Sequence, residues 1–503
     1  MYYLQPMQNT SWVFFSLLLL FSVTAGAQEL PYSVCTGCWN PDSLGNQRVV
    51  VRYGSGARGG SHSGVAGSAR VVRVAIPWRR RDENPERKRI IVQDSATGVR
   101  VRNVVVQSVT REEGDILFEP VSGNGVYYIY YLPYRNEGRS NYPRGVYWKP
   151  DTTAEAGWME KAKIAGRSAA VGSGGVAEKA QVVRFEAIDS FNTRYPMEVI
   201  ATAKEVSALK AKYKDSAFLV FPENRKYPIR MQKDLPYRWI IRGPGGRLGA
   251  LARPLENYAY ELGLYALRSV SDVGVEFGAL RNANGRRIPT DSMVCINTDG
   301  VSYDGRSFVK HVDVAPGEVQ ALWCVVRVPD DAEGIYTGTV SVVADRRRVV
   351  VPVRLKVEGR PAADHGVGIP AAMTRLTWLN STLAQENTVI APYTPLEIVG
   401  DTVIRLLGRS IRLGRQGFPA QIQTFFTPEM TEMTERPTDL LAEGIHFHFV
   451  RETDGKDMPL SPGGVTFSQR SPGTVSWFAV SASDSVRMEV AASLEFDGFL
   501  AYT

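Results

Sequence analysis

From residue 237 to 359, strand-forming runs return every eight to twelve residues between turn-forming clusters, and no other feature limits the fold as much. The runs fall at Trp239 and over 258–267, 273–280, 292–297, 308–314, 320–328, 336–343 and 348–357. Runs this short and this regular leave no room for crossover helices, so they predict antiparallel strands stacked as a β-sandwich. Asp331-Ala-Glu-Gly334-Ile-Tyr336 places a tyrosine just past a turn at a strand start, as in the tyrosine corner of immunoglobulin-like domains.

Upstream, the run 219–241 reads LVFPENRKYPIRMQKDLPYRWII. Pro222, Pro228 and Pro236 each remove a backbone donor and restrict the preceding residue, so neither a helix nor a central strand can run through it. The stretch predicts a strand at 219–221, a second at 237–241, and a joint between two modules. Arg225 and Arg230 are the candidates for docking those modules together through carboxylates or carbonyls. Before the joint, strands are expected at 48–53, 71–76, 90–94, 101–109, 115–119 and 126–132. The last is apolar on both faces, which argues a covered, central strand. Helices are expected over 153–165 and 196–213, the second with Asn192 and Thr193 as cap candidates and Pro196 in its first turn.

After a linker near 360–370 a third module follows. Its clearest element is Val486, Met488, Val490, Ala492, Leu494 and Phe496 alternating with polar neighbours, a long half-buried strand. The predicted fold is therefore mainly β. It consists of tandem antiparallel β-sandwich modules at 28–218, 219–360 and 361–503, with a few helices in the first. The apolar end at Phe499-Leu-Ala-Tyr502-Thr503 suggests a chain cut inside a β-module.

Residues 12–23 are apolar and are followed by Ala25-Gly26-Ala27, which predicts a secretory leader over 1–27 and a secreted or periplasmic protein of the cell envelope. No Lys or Arg precedes the apolar run, a departure from the usual leader. No later stretch is long and apolar enough for a stable membrane span. A net charge of +7 over 503 residues is too small for a nucleic-acid footprint. Four cysteines make no disulfide framework. Cys35 and Cys38 form a local bridge or stay as thiols, and Cys295 and Cys324 pair or stay buried as small apolar residues.

The chemistry-bearing motifs are few. Gly54-Ser-Gly56-Ala-Arg-Gly59 follows a strand as a dinucleotide fingerprint would, but Gly and Ser follow it where a helix N-terminus is needed, so it reads as a loop and no cofactor is expected. Trp78-Arg79-Arg80-Arg81-Asp82 puts a basic cluster beside an aromatic ring, which would grip an acidic saccharide or phosphate, or else form a solvated turn. His446 and His448 share a strand face, without further ligands to make a metal site. No Gly-x-Ser-x-Gly elbow occurs.

Several stretches together resemble bacterial secreted proteins of the glycoside hydrolase family 123-like group. They include Trp78-Arg-Arg-Arg-Asp82, Phe221-Pro-Glu-Asn-Arg225 with Pro228-Ile-Arg-Met231, Asn297-Thr-Asp-Gly300-Val301, Arg375-Leu-Thr-Trp378-Leu-Asn-Ser381 and Glu495-Phe-Asp-Gly498. The resemblance implies N-terminal β-domains ahead of a (β/α)₈ barrel, in which an adjacent Asp-Glu pair works with the substrate's own N-acetyl group. No βαβα alternation is present here, so no residue of this chain receives a catalytic role. The expected function is that of accessory β-domains supporting a glycan substrate. The alternative is a secreted carbohydrate-binding or envelope surface protein without catalysis. Trp78, Tyr237, Trp239 and Trp378 are the candidate glycan contacts, by ring stacking.

Overall fold

In the computed structural model the described residues are 30–54, 70–139, 141–162, 164 and 177–503. The expected leader and all of the Gly-rich run past Gly54 lie outside them. The described chain is mainly β, and its strands form eight sheets. Contacts divide it into two units. One comprises residues up to 247 together with 261–270 and 314–321; the other holds 248–260, 271–313 and 322–503. The expected joint at 219–241 thus lies wholly inside the first unit, and the chain changes unit within two strands, Asn257–Ala266 and Val319–Arg327.

The first unit opens with a sandwich. One sheet runs Tyr32–Val34, Gln181–Ala187, Gln47–Tyr53, Gly125–Tyr131, Ile90–Asp94. The facing sheet runs Glu178–Lys179, Val72–Ile76, Gly114–Phe118, Val104–Val109. Val49, Val51, Val74, Ile76, Ile116, Phe118 and Ile129 fill the space between them. Gly125–Tyr131 sits inside its sheet and is covered on its other face too, where Trp39 meets Tyr130 edge-on with ring centroids 5.7 Å apart. That explains a run without polar alternation. Cys35 and Cys38 are joined by a disulfide.

The rest of the unit corrects three sequence expectations. The helix expected over 196–213 is a short 3-10 turn, Pro196–Glu198, followed by extended chain and then a helix at Ala203–Lys212. Its true start is Thr202, whose hydroxyl accepts from the Glu205 amide while Glu205 returns to the Thr202 amide, a capping box that neither Asn192 nor Thr193 supplies. The helix expected over 153–165 occupies Ala156–Lys161. Residues 237–241, expected as a strand, form part of the helix Tyr237–Arg242, with Pro236 preceding its first turn. This helix packs on Phe218–Asn224 through Trp239, which stacks on Phe221 at 4.3 Å.

In the second unit a six-stranded sheet is built around the hairpin Gly334–Ala344 and Arg347–Val357. Tyr336 is buried at the hairpin's start. Beyond 396, a five-stranded meander and a four-stranded meander enclose Ile404, Ile411, Val475, Trp477 and Leu494. The strand Arg487–Glu495 alternates as expected, and Leu500–Tyr502 pairs along it. Cys295 and Cys324 oppose each other across a strand pair as buried thiols that form no disulfide.

Candidate functional site

The strand Val72–Ile76 sends alternate side chains inward, and the same parity carries Trp78 into the core. Its indole stacks on Tyr131 at 5.3 Å and donates to the Thr110 carbonyl at 2.9 Å. The ring lies over Gly114, where an added Cβ would stand 2.0 Å from it. Arg79 follows with φ 51°, a left-handed backbone that turns the chain sharply and separates the side chains of 78, 79 and 80. The turn opens a cleft of about 660 Å³ within the first unit.

On the cleft floor Arg80 binds Asp82 and the Gln47 amide oxygen, while the Tyr147 hydroxyl donates to the other Asp82 oxygen. Lys88 completes the group, 3.8 Å from Asp82 and 3.6 Å above the Tyr147 ring. Burial resists ionisation of Asp82, but Arg80, Tyr147 and Lys88 outweigh it and hold the carboxyl down at about 2. Burial and then Asp82 drive the Tyr147 phenol well above its ordinary range, so it remains a donor.

A second layer is neutral. Gln47 accepts from Tyr131 at 3.1 Å and donates to the Asn192 carbonyl at 2.7 Å. Tyr134 donates to the Asn192 side chain at 3.2 Å, and Asp189 anchors Asn192 from below through its backbone and side-chain amides. Tyr134 and Tyr147 rings lie 5.4 Å apart, and Phe191 projects almost fully exposed at the rim. At the mouth, Arg81 and Arg230 both approach Oε1 of Glu198, at 3.4 and 3.5 Å, and Arg230 lies 4.1 Å over the Tyr195 ring.

The candidates from sequence are placed as follows. Trp78 and Trp239 are each 1% exposed and Tyr237 6%, with their rings engaged by Tyr131, Phe221 and the Arg79 guanidinium respectively. Buried rings offer no face to a sugar, so these three are packing residues; Trp78 only backs the cleft. Trp378 is 57% exposed, on the 3-10 helix Thr374–Asn380 of the second unit, with Arg375 5.2 Å from its ring. Arg230 binds Glu198 inside the first unit, so the tie it makes is internal to that unit. Arg225 occupies the turn after Phe218–Asn224. His446 and His448 lie in extended chain outside any strand, with His448 2.9 Å from Asp457, and no cluster of three metal-ligating side chains occurs among the described residues.

A carboxylate pair escaped the sequence reading. Glu223 receives Arg238, Trp239 and Arg242 on one oxygen at 3.1, 3.0 and 2.9 Å. Glu261, 1% exposed, accepts only the Ile229 amide on Oε2, and its Oε1 is buried without a hydrogen-bond partner. Burial, reinforced by Glu223, pushes Glu261 up to about 8 against the pull of Ile229. Neither lines the cleft. The available signal was a lone glutamate inside Tyr258-Ala-Tyr-Glu-Leu-Gly-Leu264, an otherwise non-ionic run.

The N-terminal domain of glycoside hydrolase 123 matches residues 37–188, and the third domain of glycoside hydrolase 123 matches 396–503. No curated protein matches the chain. Among solved structures, a family 123 glycoside hydrolase from Clostridium perfringens, studied for glycolipid glycan hydrolysis, aligns at 14% identity with a TM-score of 0.23. The alignment covers 29% of this chain and 28% of that one. A PapD-like domain of human CEP192 aligns at 11% identity over 23% of this chain and 84% of that one, TM-score 0.16. A chaperone–adhesin complex of the Csu pili of Acinetobacter baumannii gives 10% identity, 38% and 86% coverage, and a TM-score of 0.15.

Proposed function

Since the chain belongs to the glycoside hydrolase 123 family, carrying that family's N-terminal and third domains, we propose that it supplies accessory β-domains to a secreted protein acting on glycans, and that the cleft beside Arg80 holds a saccharide. One observation carries this reading. The cleft wall is a set of tyrosine, amide and guanidinium groups whose positions are fixed by one another before any ligand arrives, as in the mutual bonds of Gln47, Asn192, Tyr131 and Tyr134. Sugar hydroxyls need such planar donors and acceptors, and sugar rings need aromatic faces; preset groups lose little freedom on binding.

Binding is the only chemistry proposed for the cleft. Hydrolysis of the usual kind needs two carboxyl groups, one of them free to carry a proton. Asp82 is held ionised by its partners, and Glu198 is shared between two arginines. The Cys35–Cys38 disulfide supports placement outside the cytoplasm, where such bridges persist. No helix among the described residues is long and apolar enough to cross a membrane. Exposed Trp378 is proposed as a second, independent glycan contact.

The test is a glycan array probed with the full chain, followed by calorimetry on the best oligosaccharide. Tyr134→Ala and Asn192→Ala should each weaken binding at least tenfold, the loss of about one to two hydrogen bonds. Retention of wild-type affinity in both variants, with folding unchanged, would refute the cleft as the site. A parallel loss on Trp378→Ala would report the second contact.

A further inference from the structure

The charge of the cleft is unevenly spent. Five arginines line it against two carboxylates, a formal excess of three positive charges, and counting the outlying Glu205 and Lys88 leaves that excess unchanged. Two of the three excess charges lie deeper, engaged in the protein's own contacts, and one lies at the mouth. On the floor Arg80 and Lys88 saturate Asp82, and Arg79 holds Glu205 through two bonds of 2.7 and 2.9 Å. Arg194 lies 3.7 Å over the Phe185 ring and donates to the Pro77 carbonyl.

At the mouth the balance differs. Arg81 and Arg230 compete for a single oxygen, Glu198 Oε1, and each sits beyond 3.3 Å, longer than a good charge-assisted bond. Their side chains are 53% and 47% exposed, and Glu198 is 30% exposed. Two cations therefore share one anion at an accessible rim, and one positive charge is uncompensated. The Tyr195 ring lies 4.1 Å from the Arg230 guanidinium carbon, a cation–π contact that restrains the side chain at the mouth.

We infer that the cleft takes an anionic saccharide, one bearing a carboxylate or sulfate group, with the acidic group seated between Arg81 and Arg230 and the hydroxyl-rich ring against Tyr134, Asn192 and Gln47. This rests on the proposed cleft as a glycan site and names its ligand class. Planar guanidinium pairs match the two oxygens of a carboxylate, or two of the three terminal oxygens of a sulfate. A neutral sugar would leave the shared charge at the mouth unanswered.

The experiment measures binding of the full chain to three oligosaccharides of equal length, one neutral, one carrying uronic acids and one sulfated, at 20 and 300 mM salt. The anionic ligands should bind about tenfold tighter than the neutral one, the value of one charge-assisted bond. Arg81→Met and Arg230→Met should bring them down to the neutral level, and Arg230→Lys should restore part of the preference. The carboxylate and sulfate arms separate the two acidic groups. Equal affinity for all three ligands would overturn this inference and leave the cleft reading standing. No binding of any ligand would overturn both. Anionic binding untouched by either Met substitution, and abolished by salt, would show adsorption elsewhere on a basic protein and overturn the inference as well.

Discussion

Replacing Glu261 by Gln should make the protein more stable, and by an amount that grows with pH. The glutamate is 1% exposed, has one amide donor and leaves its second oxygen unbonded. Moving its carboxyl from the ordinary 4.5 to about 8 corresponds to about 5 kcal/mol between the two protonation states. The direction follows from proton binding. Below pH 4.5 the group is protonated in both folded and unfolded chains and adds nothing. Between 4.5 and about 8 the unfolded chain releases the proton while the folded chain keeps it, so stability falls as pH rises. Above about 8 the penalty is complete.

Gln keeps an oxygen for the Ile229 amide and cannot ionise. The buried amide hydrogens it introduces replace an equally unpartnered carboxyl hydroxyl, so the two proteins should match near pH 4.5. At pH 9 the variant should lead by about 3 to 5 kcal/mol, the upper figure being the full ionisation penalty. Urea unfolding at pH 4.5, 6, 7.5 and 9 measures this, with fluorescence of buried Trp239 as one reporter. Taking the difference between variant and wild type removes the other titrating groups. A difference that stays flat across that range would refute the argument, because burial would then not be penalising a charge.

Two further outcomes are expected. Arg48 and Glu186 pair at 2.7 Å with both side chains buried, and the guanidinium lies 3.7 Å over Tyr128 and 4.3 Å over Trp39; Arg48→Ala should cost about 2–3 kcal/mol in chemical denaturation, since it removes these contacts while Arg184 still holds the other Glu186 oxygen, and a cost below 1 kcal/mol would contradict this. Cys295 and Cys324 should resist alkylation in the native state and react fully once unfolded, read by intact mass, whereas Cys35 and Cys38 should label only after reduction.

The β architecture was readable because period two and turn spacing are local properties of the chain. Arg487–Glu495 shows the alternation directly, and Gly125–Tyr131 shows the lack of it that marks a covered strand. The helix Tyr237–Arg242 was not readable: it is six residues long, too short for a 3.6-residue repeat to appear, and Tyr237-Arg-Trp239 mimics alternation. Trp78 misled because its arginine neighbours suggested a surface. Extending the parity of Val72, Val74 and Ile76 by one step puts it inside. The cleft was half legible. Arg79 to Asp82 stood out as a cluster, but Gln47, Tyr134, Tyr147, Asn192 and Arg230 arrive from distant parts of the chain, and only the folded sheet order gathers them. Two arginines sharing Glu198 could not be foreseen from any spacing.

The way the chain enters, leaves and re-enters the first unit has a consequence for biosynthesis. Everything up to Arg247 can be made and still be incomplete, because Phe218–Asn224 awaits its partner strand and the core around Trp239 awaits Tyr265 and Val319. Residue 321 closes the unit, 74 residues after Arg247. At translation rates of roughly 5–20 residues per second that interval lasts about 4–15 s. Throughout it an unpaired edge and an open apolar face stand ready for the wrong neighbour.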